Sequence, residues 1–318
     1  MGPLLAFWGA LTQKRSTGFR SIGYMLRQHT SLLLRLVRRS LALGAMALTA
    51  GCSVPEPTTT NPALHDAQMR HSITLGSGEV LSYLDAGDER GQPVIFVHGT
   101  PGDAMGWIDY LTAVPNGMRF IAIDRPGFGK SGPDDAVTSL AVQADAIAQL
   151  ASALKLEPAI LVGHSLGGPV VARFAADHPR KTAALVILAG SLDPSQEDVP
   201  WIQNLGDTWP IASMLPRTIR NANREIIALE AELRQMEPLL GTISVPVFVL
   251  HGTADDLVPY ANVAYMRSHF TGAAKLSVLQ LHDQNHFLPW KERRRVNETI
   301  RAAADLVGAL KTKTSNGK

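Results

Sequence analysis

Gly163-His164-Ser165-Leu166-Gly167-Gly168 follows the apolar run from Pro158 to Val162 and precedes a stretch with helical patterning. A serine at a sharp strand-to-helix turn has its hydroxyl presented outward. The strained turn brings neighbouring backbone so close that the positions two before and two after must lack bulk. Gly163 and Gly167 meet that demand, and Gly168 eases packing of the helix. Ser165 is therefore the candidate nucleophile. A serine hydroxyl reacts poorly near neutral pH, so it requires a histidine base, itself oriented by a buried carboxylate. The chain offers ten histidines and 28 acidic residues from which that base and acid must come.

Such a set has to be positioned by a sheet. Short apolar runs alternate with helical patterns, as in a mostly parallel sheet covered on both faces. Arg70 to Leu75 and Val80 to Asp85, separated by Gly76-Ser77-Gly78, read as a hairpin on the antiparallel edge. Val94 to Val97, Arg119 to Ile123, Ala159 to Val162, Ala184 to Leu188, Val245 to Leu250 and Lys275 to Leu279 read as buried strands, which makes an eight-stranded α/β sheet. Helices fit Ser139 to Leu154, Leu166 to Asp177, Tyr260 to Phe270 and Lys291 to Leu310, with a stop at Asp177-His178-Pro179. Between Leu192 and Ser244 lies an insertion too long for a plain connection. With 318 residues and 45% apolar content, one large domain with an ample core is expected.

The ends read differently. Residues 1 to 51 carry seven Lys or Arg and no acid, which leaves 23 basic against 28 acidic residues in the remainder, a net charge of −5. A nucleic-acid partner is thereby excluded. Arg35, Arg38 and Arg39 precede the apolar run Leu41 to Ala50, and Leu48-Thr49-Ala50-Gly51-Cys52 follows. Ten apolar residues are too few for a membrane span, which needs about 20. The segment reads as an export signal and resembles a bacterial lipoprotein signal, with Cys52, the sole cysteine, as the lipidated residue. Thr49 departs from the usual Leu, residues 1 to 24 make the leader long enough that Met25 is a candidate start, and a cleaved soluble signal is the alternative. No intramolecular disulfide can form. Residues 53 to 67, with Pro55, Pro57, Pro62 and Thr58 to Thr60, read as an extended tether, and 311 to 318 as a frayed tail.

From residue 68 to about 310 the chain resembles the α/β-hydrolase family in the order of several independent motifs. His98-Gly99-Thr100-Pro101-Gly102 stands where the family has its oxyanion loop. The resemblance implies a hole made by the N–H groups of Thr100 and Leu166. Gly252-Thr253-Ala254-Asp255 with Val258-Pro259 matches the family's acid motif, so Asp255 is the implied acid, with Asp193 after the preceding strand as the rival. His286, within Asp283-Gln284-Asn285-His286-Phe287 after the last strand, is the implied base, and His282 is the fallback. Asn285 replaces the glycine usual before that histidine. Asp124 to Gly132 resembles a further marker, in which Arg125 and Lys130 are expected to be structural or solvent facing. Members with this marker include dehalogenases and epoxide hydrolases, whose nucleophile is aspartate, so Ser165 disfavours those chemistries. The insertion, about 192–244, falls where the family inserts a small helical cap after the sixth strand. Its Trp201, Leu205, Trp209, Ile211, Met214 and Leu215 would line a pocket or fasten the cap to the core.

What the resemblance implies is a serine esterase that acts by acyl transfer with neither metal nor organic cofactor. An amidase, iminopeptidase, thioesterase, carbon–carbon hydrolase or acyltransferase would use the same residues, and a catalytically silent binding protein of the envelope is the alternative from another class. The expected partners are a small acyl substrate and, through Cys52, a membrane. The expected location is the cell envelope, facing the periplasm or exterior, with a soluble secreted form as the alternative.

Overall fold

The computed structural model describes residues 58–197, 199 and 201–316. The leader, Cys52 and the chain to residue 57 lie outside the described residues, as do 317 and 318.

Eight strands form one sheet: β1 (Arg70–Thr74), β2 (Val80–Gly87), β3 (Gln92–Val97), β4 (Met118–Ile123), β5 (Ala159–His164), β6 (Thr182–Leu188), β7 (Val247–Gly252) and β8 (Leu276–Leu281). Their order across the sheet is β1-β2-β4-β3-β5-β6-β7-β8. β2 runs antiparallel to both neighbours and the remaining pairs are parallel. Every residue of β5, β6 and β7 is buried, which is why these strands read as unbroken apolar runs, whereas β1 and β8 at the edges are partly exposed.

Side chains alternate between two cores, as the period of a strand requires. Ile95, Val97, Leu161, Leu185, Ile187 and Val249 pack with α2 (Leu140–Ala153), α3 (Gly167–Asp177), α4 (Arg217–Leu240) and α5 (Ala261–His269), which follow α1 (Pro62–Met69) in the chain. Val94, Phe96, Phe120, Val162 and Val186 pack on the other face with residues 104–111 and with α6 (Arg293–Asn316). The parallel register pairs Val97 with Gly163, His164 with Leu188 and Leu188 with Leu250, so the C-terminal ends of β3, β5, β6 and β7 share one rim. The loops carrying the candidate site leave from that rim.

Three sequence expectations change. Residues 58–67 are not an extended tether. Asn61 caps α1 through its Oδ1, which accepts the Leu64 N–H at 3.2 Å, Pro62 begins the helix, and the Thr58 and Thr59 N–H groups donate to Asp109. The polar C-terminal stretch continues α6 to Asn316, because no proline or clustered glycine stops it at 310. The insertion is only partly a cap. Trp201–Gly206 and Ile211–Met214 are short helices, but α4 sends Leu229, Leu233, Met236 and Leu240 into the core at helical spacing. Trp201, Trp209 and Met214 are mostly exposed, so they do not fasten that cap to the core.

Candidate active site

Ser165 occupies the turn between β5 and α3 with φ +55°, the left-handed region that a side chain adopts only when its surroundings impose it. Those surroundings are visible. The Ser165 N–H donates to the Leu188 carbonyl at 3.0 Å, and the Ser165 carbonyl accepts from the N–H groups of Gly168 and Ser191 at 2.8 and 3.3 Å. A Cβ at Gly163 would lie 2.3 Å from the Gly167 carbonyl oxygen, and one at Gly167 would lie 2.3 Å from that of Val97. Both positions therefore exclude any side chain, for the close-approach reason the motif suggests.

Asp255 follows β7 and His286 follows β8. His286 Nδ1 lies 2.8 Å from Asp255 Oδ2, while Asp255 Oδ1 accepts the N–H groups of Leu257 and Val258 at 3.0 and 2.8 Å. Burial alone would raise the Asp255 pKa. The hydrogen bond and charge of His286, with the Val258 N–H, outweigh it and hold the carboxyl below its ordinary value. An ionised Asp255 fixes the His286 proton on Nδ1 and leaves Nε2 as the basic nitrogen. No hydrogen bond joins Ser165 Oγ to His286 among the described residues. Their connection runs through His164, which precedes the serine: its Nε2 lies 3.0 Å from the His286 carbonyl oxygen, and the two rings are 4.7 Å apart. Burial and the neighbouring His286 push the His164 pKa down to about 3, so His164 is neutral and donates from Nε2 to that carbonyl.

The rival residues are otherwise engaged. Asp193 Oδ1 accepts the N–H and hydroxyl of Ser195 at 2.9 and 2.7 Å, capping the turn Pro194–Gln196. His282 is exposed, and His269 lies in α5, bonded to Tyr265 and Glu237. Asn285, in place of glycine, accepts the Phe287 N–H at 3.2 Å and thereby turns the chain after His286. His251, buried beside the pair with Nε2 3.7 Å from Asp255 Oδ2, is bonded to the Val258 carbonyl, and burial lowers its pKa.

The third component is the loop after β3. The Arg125 N–H donates to His98 Nε2 at 3.0 Å, so the His98 proton is on Nδ1 and is donated to the Gly99 carbonyl at 2.7 Å. Burial, then the Arg125 charge, holds His98 well below its ordinary pKa and keeps it neutral. A Cβ at Gly99 would fall 2.7 Å from the Ser165 Cβ, which shows how closely the loop approaches the serine. The N–H groups of Thr100 and Leu166 have no acceptor among the described residues. Two N–H donors left unpaired near a strained serine are the kind of group that stabilises negative charge.

Arg125 is fully buried, not solvent facing, and its partner is Glu225 on α4, itself 2% exposed. Glu225 escapes a motif search, since nothing in its immediate neighbours marks it. The available signal is phase: it lies one helical turn before Leu229 and two before Leu233, a charged residue at the spacing of the helix's buried face. Lys130 is 61% exposed at its side chain and pairs with Asp66, as a surface reading expects.

A model of the alpha/beta hydrolase fold matches residues 92–226. Among known proteins, a non-heme chloroperoxidase of Streptomyces lividans is 30% identical over 237 residues, 61% of this chain and 85% of that protein. Among solved structures, a membrane phospholipase A aligns with 87% of this chain and 99% of its own at TM-score 0.60 and 20% identity. An esterase from Exiguobacterium antarcticum aligns with 73% and 97% at TM-score 0.59 and 21% identity, and both likenesses are of fold alone.

Proposed function

The chain belongs to the alpha/beta hydrolase fold family, and from that premise we propose that it hydrolyses a carboxylic ester by acyl transfer through Ser165. His286 Nε2 takes the hydroxyl proton as Ser165 Oγ attacks the carbonyl carbon, and the N–H groups of Thr100 and Leu166 donate to the oxygen that becomes negative. The imidazolium, stabilised by Asp255, returns the proton to the departing alcohol. Water, deprotonated by the same nitrogen, then releases the acid and restores the serine. The observation that carries this reading is the 2.8 Å bond between His286 Nδ1 and Asp255 Oδ2, which leaves Nε2 basic on the rim that carries the strained serine. Removing one such oxyanion donor costs about 3 to 4 kcal/mol in other hydrolases, so the two N–H groups matter as much as the proton transfers.

The test is covalent labelling with a fluorophosphonate probe, followed by turnover on matched ester, thioester and amide substrates. Labelling of the wild type but not of Ser165→Ala, with esters preferred, supports the reading; a folded wild type that takes no label sinks it. The likeness to the Streptomyces lividans non-heme chloroperoxidase favours a second reading. If hydrogen peroxide rather than water attacks the acyl enzyme, the products are the free serine and a peracid, which can oxidise halide. Peracid release from acetate and peroxide distinguishes the two.

The segment ending at Cys52 supports an envelope location with the cysteine lipidated. A mature N-terminus anywhere but a lipid-modified Cys52 would refute it.

A further inference from the structure

The Arg125–Glu225 pair takes no part in the chemistry above, yet both its side chains are buried beside the site. Arg125 Nη1 meets Glu225 Oε1 at 2.5 Å and Nη2 meets Oε2 at 3.0 Å, a two-pronged contact. Gln143 on α2 closes the network, with Oε1 accepting from Arg125 Nη1 at 2.8 Å and Nε2 donating to Glu225 Oε1 at 2.9 Å and to the Val137 carbonyl at 2.7 Å. The Phe128 ring lies 4.8 Å from the guanidinium carbon. A buried ion pair contributes little net stability compared with apolar residues of similar volume, so stability alone does not account for this one.

Its remaining contact does. Arg125 Nη2 also donates to the Gly99 carbonyl at 2.9 Å, the same oxygen that takes the His98 Nδ1 proton. The Gly99 carbonyl and the Thr100 N–H belong to one planar trans peptide unit, in which oxygen and hydrogen point in opposite directions. Two donors that hold the oxygen thus set the direction of the N–H. Arg125 is in turn held by a carboxylate on α4, the helix that completes the insertion.

We propose that Glu225 is a positioning residue for the oxyanion hole: through Arg125 it fixes the Gly99–Thr100 peptide plane and aims the Thr100 N–H at the reacting carbonyl oxygen. The inference rests on the reading of Thr100 as an oxyanion donor. It makes the inserted helix a part of the catalytic geometry, connected to it through the Arg125–Glu225 pair.

Glu225→Gln leaves the guanidinium buried without its counter-charge, so the peptide plane loosens although His98 still holds one side. A displacement on the ångström scale costs about 10- to 100-fold in kcat with KM changed by less than about threefold. Binding of a trifluoromethyl ketone, whose adduct oxygen sits in the hole, weakens by the same factor. Because a lone buried charge also destabilises the fold, the deciding variant is Arg125→Met with Glu225→Met, which removes both charges and keeps volume. Its thermal midpoint returns towards wild type while kcat and ketone affinity stay low. Recovery of kcat together with stability in the double variant, or a Glu225→Gln effect confined to KM, overturns the inference while leaving ester hydrolysis by the wild type intact. A wild type inert towards esters and the fluorophosphonate probe would instead overturn the functional reading, and the inference with it.

Discussion

Replacing Asp255 by Asn tests the site at its most specific point, because the surrounding backbone dictates which way the new amide faces. Asp255 Oδ1 accepts two backbone N–H groups, from Leu257 and Val258, while Oδ2 faces His286 Nδ1. In Asp255→Asn the amide oxygen must stay on the side of the two N–H donors, since turning it would set NH₂ against both. The NH₂ is then directed at His286 Nδ1, which has to accept, so the imidazole proton moves to Nε2. That nitrogen can no longer take the proton of Ser165. The expected loss in kcat is about 10⁴-fold. That corresponds to about 5 kcal/mol of transition-state stabilisation. KM should change by less than about threefold, because no substrate contact is altered. Steady-state hydrolysis of an activated aryl ester measures the rate, and nitrogen chemical shifts of His286 report the tautomer. A variant that keeps more than a few per cent of activity, or whose imidazole retains its proton on Nδ1, would refute the reasoning.

Other outcomes follow from the same contacts. Asp193→Ala should cost about 1 kcal/mol through loss of a turn cap and leave kcat within about threefold, checked by chemical denaturation and kinetics; a collapse of kcat would return Asp193 to candidacy as the acid. Gly163→Ala places a Cβ 2.3 Å from the Gly167 carbonyl oxygen, backbone against backbone, and should destabilise by about 3 kcal/mol or prevent folding, read from the thermal midpoint. Stability should fall with acidity well above the carboxylate range, because His98, His164 and His251 are held below the ordinary histidine value in the folded chain. Their stabilisation is complete above about pH 6.5 and is lost as pH falls towards their folded values, at up to about 1.4 kcal/mol per pH unit for each histidine. For His164 that window extends down to about 3, whereas the Asp255 contribution disappears only below 3.8, as pH falls through its lowered value. Urea midpoints that do not move between pH 7 and pH 5 would contradict it.

The sheet is legible in the sequence because each central strand is buried on both faces, and an unbroken run such as Ala184 to Leu188 has few other ways to fold. The serine turn is legible for a related reason: close backbone approach leaves only glycine at two fixed positions. Asp255 is favoured over Asp193 in the sequence by its motif match alone, since both follow a strand and differ in where their oxygens find partners, which the sequence does not show. The helix Pro62–Met69 was hidden by a proline and threonine content that suits a tether equally well, although Asn61-Pro62 is a helix-start signal. Glu225 was hidden by distance along the chain, because its partner lies 100 residues away and a carboxylate on a long polar helix reads as solvated.

The strand order has an engineering consequence. From β3 the chain steps outward to β4 and then crosses back to β5, so the loops after β3 and β5 diverge and leave a crevice at the reversal point. The juxtaposition of residues 98–102 with Ser165 is therefore a product of the winding, present whatever covers it. Residues 201–216, which leave Trp201, Trp209 and Met214 mostly exposed, can accordingly be treated as an exchangeable module. The boundary for such a swap lies just before Arg217, since α4 is tied to the loop after β4 through Arg217, Asn221 and Glu225.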